Sequence, residues 1–199
     1  MISKPSPEEY SPFASRYINL VPDTQVIELL ERLMDSSYQL FSKLTDEQAA
    51  YAYAPGKWTV KQALGHMIDT ERTFAYRALV FSRNHIELPG FDQDVYVDNA
   101  DFNTQSIQDL AAEFKATRLS NIYMIKGFSE EQLLRTGIAS DHLFSVRAFV
   151  YMMAGHELYH IQSFKEKYHI SDQINIEKCA KRRKAPVKTD ALSRRRTYY

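Results

Sequence analysis

Two histidines lie four positions apart in the segment Gly155-His156-Glu157-Leu158-Tyr159-His160. The surrounding residues carry apolar side chains at helical spacing, which predicts that the segment belongs to a long helix. An α-helix turns once in about 3.6 residues, so His156 and His160 share one helical face. Both imidazoles can therefore point at one spot, and such a pair is half of a metal site.

The composition is that of a single folded domain. Of its 199 residues, 44% are apolar and 13% are aromatic, which is enough for a hydrophobic core. No apolar run approaches the roughly 18 residues that cross a bilayer, and the first residues do not resemble a signal peptide. Cys179 is the single cysteine, which excludes an internal disulfide. We therefore predict a cytoplasmic protein that does not associate with membranes.

The charges are divided unevenly along the chain, although the formal net charge is zero. Residues 177–199 hold nine of the 25 Lys and Arg residues but only two of the 25 Asp and Glu residues. The remainder is therefore acidic, which argues against nucleic-acid binding by the body of the protein. The basic tail is interpreted as a solvated, flexible segment, and contact with nucleic acid or an acidic partner is the alternative.

Four long segments have apolar residues at the helical period, at about residues 24–44, 60–83, 105–126 and 146–168. The second begins at a capping box formed by Thr59 and Gln62. No segment has the pattern of paired strands. The sequence therefore predicts an all-α four-helix bundle. Its expected limits are an extended lead-in over 1–22, the bundle over 23–170 and the basic tail over 171–199.

His66 lies two turns into the second predicted helix and is a candidate third ligand. Metal sites in helix bundles are built from side chains on facing helices, and three imidazoles leave an open position for water or substrate. We therefore predict one divalent ion held by His66, His156 and His160. Zn²⁺ and Ni²⁺ both suit imidazole ligands. The alternative is that these histidines are hydrogen-bonded residues of the core.

The segment His156-Glu157-Leu158-Tyr159-His160 also matches the H-E-x-x-H signature of zinc proteases. The extended form of that signature requires glycine at 163 and histidine at 166, where this chain has Ser163 and Glu166. Few residues follow the helix, and the third histidine lies far upstream. A protease is therefore the less favoured interpretation.

Several short motifs together resemble the DinB/YfiT-like superfamily. They are Lys57-Trp58-Thr59-Val60, Gly65-His66-Met67-Ile68-Asp69, Pro89-Gly90-Phe91-Asp92-Gln93-Asp94, Ser145-Val146-Arg147 and the segment 155–160. Their order and spacing cover about residues 20–168. The resemblance implies a four-helix bundle with a long crossover connection, usually a homodimer, in which His66, His156 and His160 hold a divalent metal.

The resemblance implies a function less sharply than a fold. Several members of the superfamily use a low-molecular-weight thiol such as bacillithiol as a nucleophile, so S-transfer to a small electrophile is the favoured function. A metal with an open position can lower the pKa of a bound thiol, or activate water instead. The alternatives are therefore a metal-dependent hydrolase of a small substrate and a non-catalytic metal-binding module of a stress response.

Two carboxylates are candidate catalytic residues beside the histidines. Asp69 lies one turn from His66 and is predicted either to orient an imidazole or to be solvated. Glu157 is a candidate general base, although its position on the helix favours a salt bridge with a neighbouring helix. Asp92 and Asp94 are expected to form loop hydrogen bonds, with closure over the site as the alternative. Trp58 is expected to fill the core rather than to stack on substrate.

Overall fold

The computed structural model describes residues 1–170 of the chain. The predicted basic, flexible tail falls on residues 171–199 and so lies outside the described residues. Before the bundle, 3₁₀ turns at Pro7–Glu9 and Pro12–Ala14 lead into the short helix α1, Ser15–Ile18. The lead-in, expected to be extended, is thus partly helical. Within residues 1–170, no helix combines the length and the apolar character needed to cross a membrane.

The long helices follow the predicted segments closely. The first half of the chain contains α2 (Val26–Phe41), α3 (Asp46–Ala49) and α4 (Val60–Arg83). The capping box at the start of α4 is present, with the Thr59 hydroxyl accepting from the Gln62 amide and the Gln62 side chain accepting from the Thr59 amide. This pair satisfies two backbone donors that the first turn leaves free, so α4 begins where the sequence predicts.

The segment after α4 contains the remaining helices and three short strands. In chain order they are β1 (Glu87–Leu88), α5 (Gln93–Asp98), α6 (Ile107–Lys126), α7 (Glu130–Leu134), β2 (Thr136–Ala139), β3 (His142–Ser145) and α8 (Val146–Lys167). A further 3₁₀ turn, Phe102–Thr104, precedes α6. The Ser145 side chain accepts from the Ala148 amide and caps α8.

The bundle consists of α2, α4, α6 and α8. Each packs against two others, so the four helices form a ring in the order α2, α6, α4, α8. Consecutive long helices α2 and α4 therefore lie across the ring from each other, as do α6 and α8. The predicted four-helix bundle is confirmed.

Within residues 1–170 a small three-stranded sheet departs from an all-α fold, and the prediction that the chain has no paired strands is wrong. β2 and β3 form an antiparallel hairpin, and β1 pairs in parallel with β2. The hairpin turn places Ser140 and Asp141 at φ values of 51° and 63°. Such turns usually contain Asn-Gly, and strands of two to four residues are too short to show the alternation of apolar and polar residues that predicts a strand. Both signals were therefore missing from the sequence.

The lead-in is part of the packed structure. Tyr17 and Ile18 of α1 are buried, and α1 packs against α8. The approach is so close that a Cβ added at Gly155 would lie 2.1 Å from the carbonyl oxygen of Tyr17. Glycine at 155 is thus required for α1 to reach the middle of α8.

A buried ion-pair network, which we call the Arg118 network, connects all four bundle helices. Arg118 of α6 donates from Nε to Glu71 Oε1 of α4 over 2.7 Å and from Nη1 to Glu157 of α8. Ser37 of α2 donates to the other oxygen of Glu157, and Asn121 of α6 donates to Glu71. The Arg118, Glu71 and Glu157 side chains are at most 3% exposed.

Charge balance keeps Arg118 ionised in this setting. Burial alone would lower the pKa of its guanidinium, but the carboxylates of Glu157 and Glu71 outweigh burial and raise that pKa above its usual value. The buried cation is thus held by two buried carboxylates.

Replacing Arg118 tests the importance of this network. Arg118→Leu leaves two carboxylates buried without their cation, so we expect the free energy of unfolding to fall by about 3–5 kcal/mol. Urea unfolding followed by circular dichroism measures the loss.

Lys126→Ala is the matched control on the same helix, because Lys126 forms an exposed ion pair with Glu31. That substitution is expected to cost less than about 1 kcal/mol. Equal losses in the two variants would contradict a structural role for the Arg118 network.

Candidate metal centre

Three histidine side chains converge between α4 and α8. The Nε2 atom of His156 lies 3.2 Å from Nε2 of His66 and 3.1 Å from Nε2 of His160. Ligand atoms of all three lie within 4.8 Å of one another. His66 and His156 are buried, and His160 is partly buried. The structure therefore brings together the three residues predicted as metal ligands.

Two glycines allow close packing against α4 and α8 next to the triad. Gly65 and Gly155 each directly precede a histidine of the triad. A Cβ at Gly65 would lie 2.4 Å from the ring of Phe102, and Gly155 meets the backbone of Tyr17. Phe102 and Tyr17 thus pack tightly against the backbone next to the histidines, and this packing limits movement of the histidine side chains.

Burial keeps the three imidazoles neutral. It lowers the pKa of His66 to about 4 and that of His160 to about 3. It also holds the pKa of His156 well below its usual value, with the neighbouring His160 and His66 adding to the effect. Neutral imidazoles have a free lone pair, which is the form that binds a metal.

The distances fit a metal ion better than a set of hydrogen bonds. A ring nitrogen carries either one proton or one lone pair, so Nε2 of His156 cannot form full hydrogen bonds to both neighbours. Ligands about 2.0–2.1 Å from a tetrahedral Zn²⁺ are about 3.3 Å apart, close to the two separations between His156 and its neighbours. The triad therefore has the donor type and spacing of a three-histidine metal site.

Side chains around the triad hold the rings in place. Trp58 packs on His66 with ring centroids 4.8 Å apart, and Tyr17 meets His156 edge-on at 5.3 Å. The Thr70 hydroxyl lies 3.5 Å from Nδ1 of His66 and can fix the tautomer of that ring. The sequence motifs did not indicate Thr70, although its position four residues after His66 places it on the same face of α4.

The two candidate catalytic carboxylates lie in different surroundings. Asp69 lies 3.9 Å from Arg72 in an ion pair, and no hydrogen bond joins it to the triad within residues 1–170. Glu157 points into the Arg118 network, where Arg118 and Ser37 occupy its oxygens. The salt bridge to a neighbouring helix that the sequence favours for Glu157 is thus present.

A cavity of about 450 Å³ opens beside the triad. His66 and His156 form part of its wall, together with aromatic side chains from the lead-in, α4, the connection after β1, and β3. These rings belong to Phe13, Tyr17, Phe74, Phe91 and Phe144. The arrangement can hold a small, partly apolar molecule next to a metal ion.

The long connection between α4 and α6 contributes to this cavity in a way the sequence did not indicate. Phe91 and Gln93 line it. Asp92 instead caps α5 by accepting from the amides of Asp94 and Val95, in agreement with the expected loop hydrogen bonding. The connection is therefore part of the candidate site through Phe91 and Gln93, the residues on either side of Asp92.

The fold and the triad together define a four-helix bundle with a three-histidine site between two of its helices. The model of the DinB superfamily matches residues 29–163, and the chain belongs to that superfamily. No curated protein matches the chain.

The structure is similar to that of YfiT from Bacillus subtilis, with a TM-score of 0.65 and 16% sequence identity. The similarity covers 82% of this chain and 95% of YfiT. YfiT is described as a probable metal-dependent hydrolase with an unusual four-helix bundle topology. At this level of identity the similarity concerns the fold.

The depressed pKa values predict a pH-dependent stability of the metal-free protein. An imidazole in the unfolded chain takes up a proton near pH 6.5, whereas His66 does so only near pH 4 when folded. The unfolded state therefore binds more protons as the pH falls through this window, and the free energy of unfolding decreases. For His66 alone we expect a loss of about 2 kcal/mol between pH 7 and pH 5.

Urea unfolding in the presence of a chelator, at several pH values from 7 to 5, measures this loss. His66→Phe keeps a ring against Trp58 but removes one titrating group, so its stability should depend less on pH. The same pH dependence in both proteins would rule out a buried, neutral His66.

Proposed function

We propose that this protein is a metal-dependent enzyme in which His66, His156 and His160 hold one divalent ion. The observation that carries the proposal is the spacing of 3.1–3.2 Å between neutral imidazole nitrogens of the triad, of which His66 and His156 line a cavity. Three protein ligands leave a coordination position open, which is typical of catalytic rather than structural sites. The cavity beside the triad has the size of a small-molecule site.

The reaction proposed is transfer of a whole low-molecular-weight thiol, such as bacillithiol, through its sulfur to a small electrophile. A divalent ion at the triad would bind the thiol sulfur and lower its pKa, so that the thiolate is available at neutral pH. The oxygens of Glu157, the carboxylate next to the triad in sequence, are held by Arg118 and Ser37. Glu157 is therefore not available as a general base, and a thiol that loses its proton on binding a metal does not need one.

The chain's own residues would position the reactants. The aromatic wall of the cavity offers contact to the apolar part of an electrophile, and Thr70 and Trp58 fix the ring of His66. In the transfer, a C–S bond forms as the leaving group departs, and the thiol proton passes to solvent. The protein would thus orient the reactants, and the neutral triad would hold the metal.

Metal-dependent hydrolysis of a small substrate is the second candidate. It is favoured by the structural similarity to YfiT, the protein described as a probable metal-dependent hydrolase. The open coordination position of the metal would then bind water in place of a thiol. A metal-binding module without catalytic activity is the third possibility. The homodimeric state and the cytoplasmic location stay predictions from the sequence.

Thiol dependence distinguishes these functions. The purified protein, loaded with Zn²⁺ or Ni²⁺, is incubated with monochlorobimane and either bacillithiol, cysteine or no thiol, and the fluorescent thioether is measured. We expect formation of the thioether above the uncatalysed rate only with protein, metal and thiol together. His66→Ala should reduce the enzymatic rate at least about 100-fold, because the metal loses one of three ligands.

His169→Asn is the matched control, because it removes a histidine just beyond α8 and asparagine tolerates the left-handed φ of 55° found there. Its rate should equal that of the unchanged protein. Release of product from ester or amide substrates without any thiol would favour hydrolysis. No turnover of either kind by metal-loaded protein would contradict an enzymatic function.

A further inference from the structure

Arg77 lines the same cavity as the histidines, at a different point along α4. It follows His66 by eleven residues, which is close to three full helical turns, so both side chains project from one face of the helix. Thr70 and Phe74 lie between them on that face and also line the cavity. One wall of the cavity thus runs along α4 from an imidazole of the triad to a guanidinium.

The surroundings of Arg77 hold its side chain without neutralising it. Nη2 donates to the carbonyl oxygen of Pro89 over 2.8 Å and lies 3.3 Å from the hydroxyl of Ser140. The guanidinium carbon lies 5.7 Å from the centre of the Phe91 ring. These groups are uncharged, so they orient the guanidinium and leave its positive charge uncompensated.

Arg77 differs from the other buried cations of residues 1–170 in its lack of a carboxylate partner. Lys61 pairs with Asp46, and Arg118 pairs with two glutamates. Arg77 is only 6% exposed, yet within the described residues no carboxylate forms an ion pair with it. A buried charge without a partner is unfavourable, and arginine cannot escape that cost by losing its proton near neutral pH.

The hydrogen-bonding capacity of Arg77 is also incompletely used. Both contacts involve Nη2, which leaves the three N–H groups of Nε and Nη1 without a partner in the described chain. Neither nitrogen is sealed away from solvent. Unpartnered donors of a charged guanidinium in the lining of a cavity are suited to an anionic oxygen of a bound molecule.

We propose that Arg77 is the anion-binding subsite of the cavity, and that the enzyme acts on a small carboxylate whose anionic group is bound by Arg77. This inference rests on the proposed function, because it assigns a substrate class to the same cavity. The reacting part of the molecule would then lie toward the triad, and the aromatic wall would contact the carbon skeleton between the two ends. Arg77 would act in binding and orientation.

Binding to metal-free protein tests the subsite separately from catalysis. The probes are 3-phenylpropanoate and its neutral amide, which share a skeleton and differ in charge. Dissociation constants are measured by ligand-observed NMR in the presence of a chelator, so that a metal ion cannot bind the carboxylate. We expect the carboxylate to bind at least about tenfold more tightly than the amide, because charge-assisted hydrogen bonds are the stronger kind.

Variants of Arg77 link the preference to this residue. Arg77→Gln should abolish the preference for the carboxylate, whereas Arg77→Lys keeps the positive charge and should retain part of it. Arg72→Gln is the control, because Arg72 lies on α4 but forms a surface ion pair with Glu113. That variant should keep the full preference. Circular dichroism and thermal unfolding confirm that each variant is folded.

The outcomes distinguish this inference from the proposed function. Equal affinities for the two probes in the unchanged protein, or a preference that survives in Arg77→Gln, would overturn the subsite even if thiol transfer is observed. Loss of the preference in Arg77→Gln would support it even if no turnover is found. 2-Phenylethylphosphonate, which has the same skeleton as 3-phenylpropanoate, is included as a third probe, and its tighter binding than that of the carboxylate would overturn the assignment of a carboxylate substrate.

Discussion

The central constraint in this structure is the burial of one arginine between two glutamates. Arg118 of α6 binds Glu71 of α4 and Glu157 of α8, and Ser37 of α2 completes the set. Removing water from these charges is costly unless every partner is in place. All four helices must therefore adopt one relative position for the network to form. Apolar packing alone tolerates small shifts between helices more easily.

The same constraint positions the candidate metal centre. Glu157 directly follows His156 on α8, and Glu71 lies five residues after His66 on α4. The two helices that supply the histidines are thus fixed to each other next to the triad. α8 presents His156 to the cavity, Glu157 to the Arg118 network and Gly155 to α1, so three consecutive residues serve three different contacts. A cavity lined along α4 then leads from the triad to Arg77.

The sequence predicted those features that depend on local pattern. Helical periodicity and the capping box at Thr59 located the long helices, and the four-residue spacing of His156 and His160 identified the pair. Contacts between distant segments gave no such signal. Nothing near Arg118 indicates that its partners are Glu71 and Glu157, and the Ser140-Asp141 turn lacks the usual hairpin residues. The roles of Arg77 and of the lead-in likewise depend on tertiary packing.

The most direct test of a metal held by three histidines is the metal content of the protein. Elemental analysis would be made on protein purified without an affinity tag or added metal, beside a His156→Ala/His160→Ala double variant and the His169→Asn control. The account predicts about one divalent ion per chain in the unchanged protein and the control, and loss of that ion in the double variant. Absence of metal from all three, even after incubation with Zn²⁺ and Ni²⁺, would contradict it.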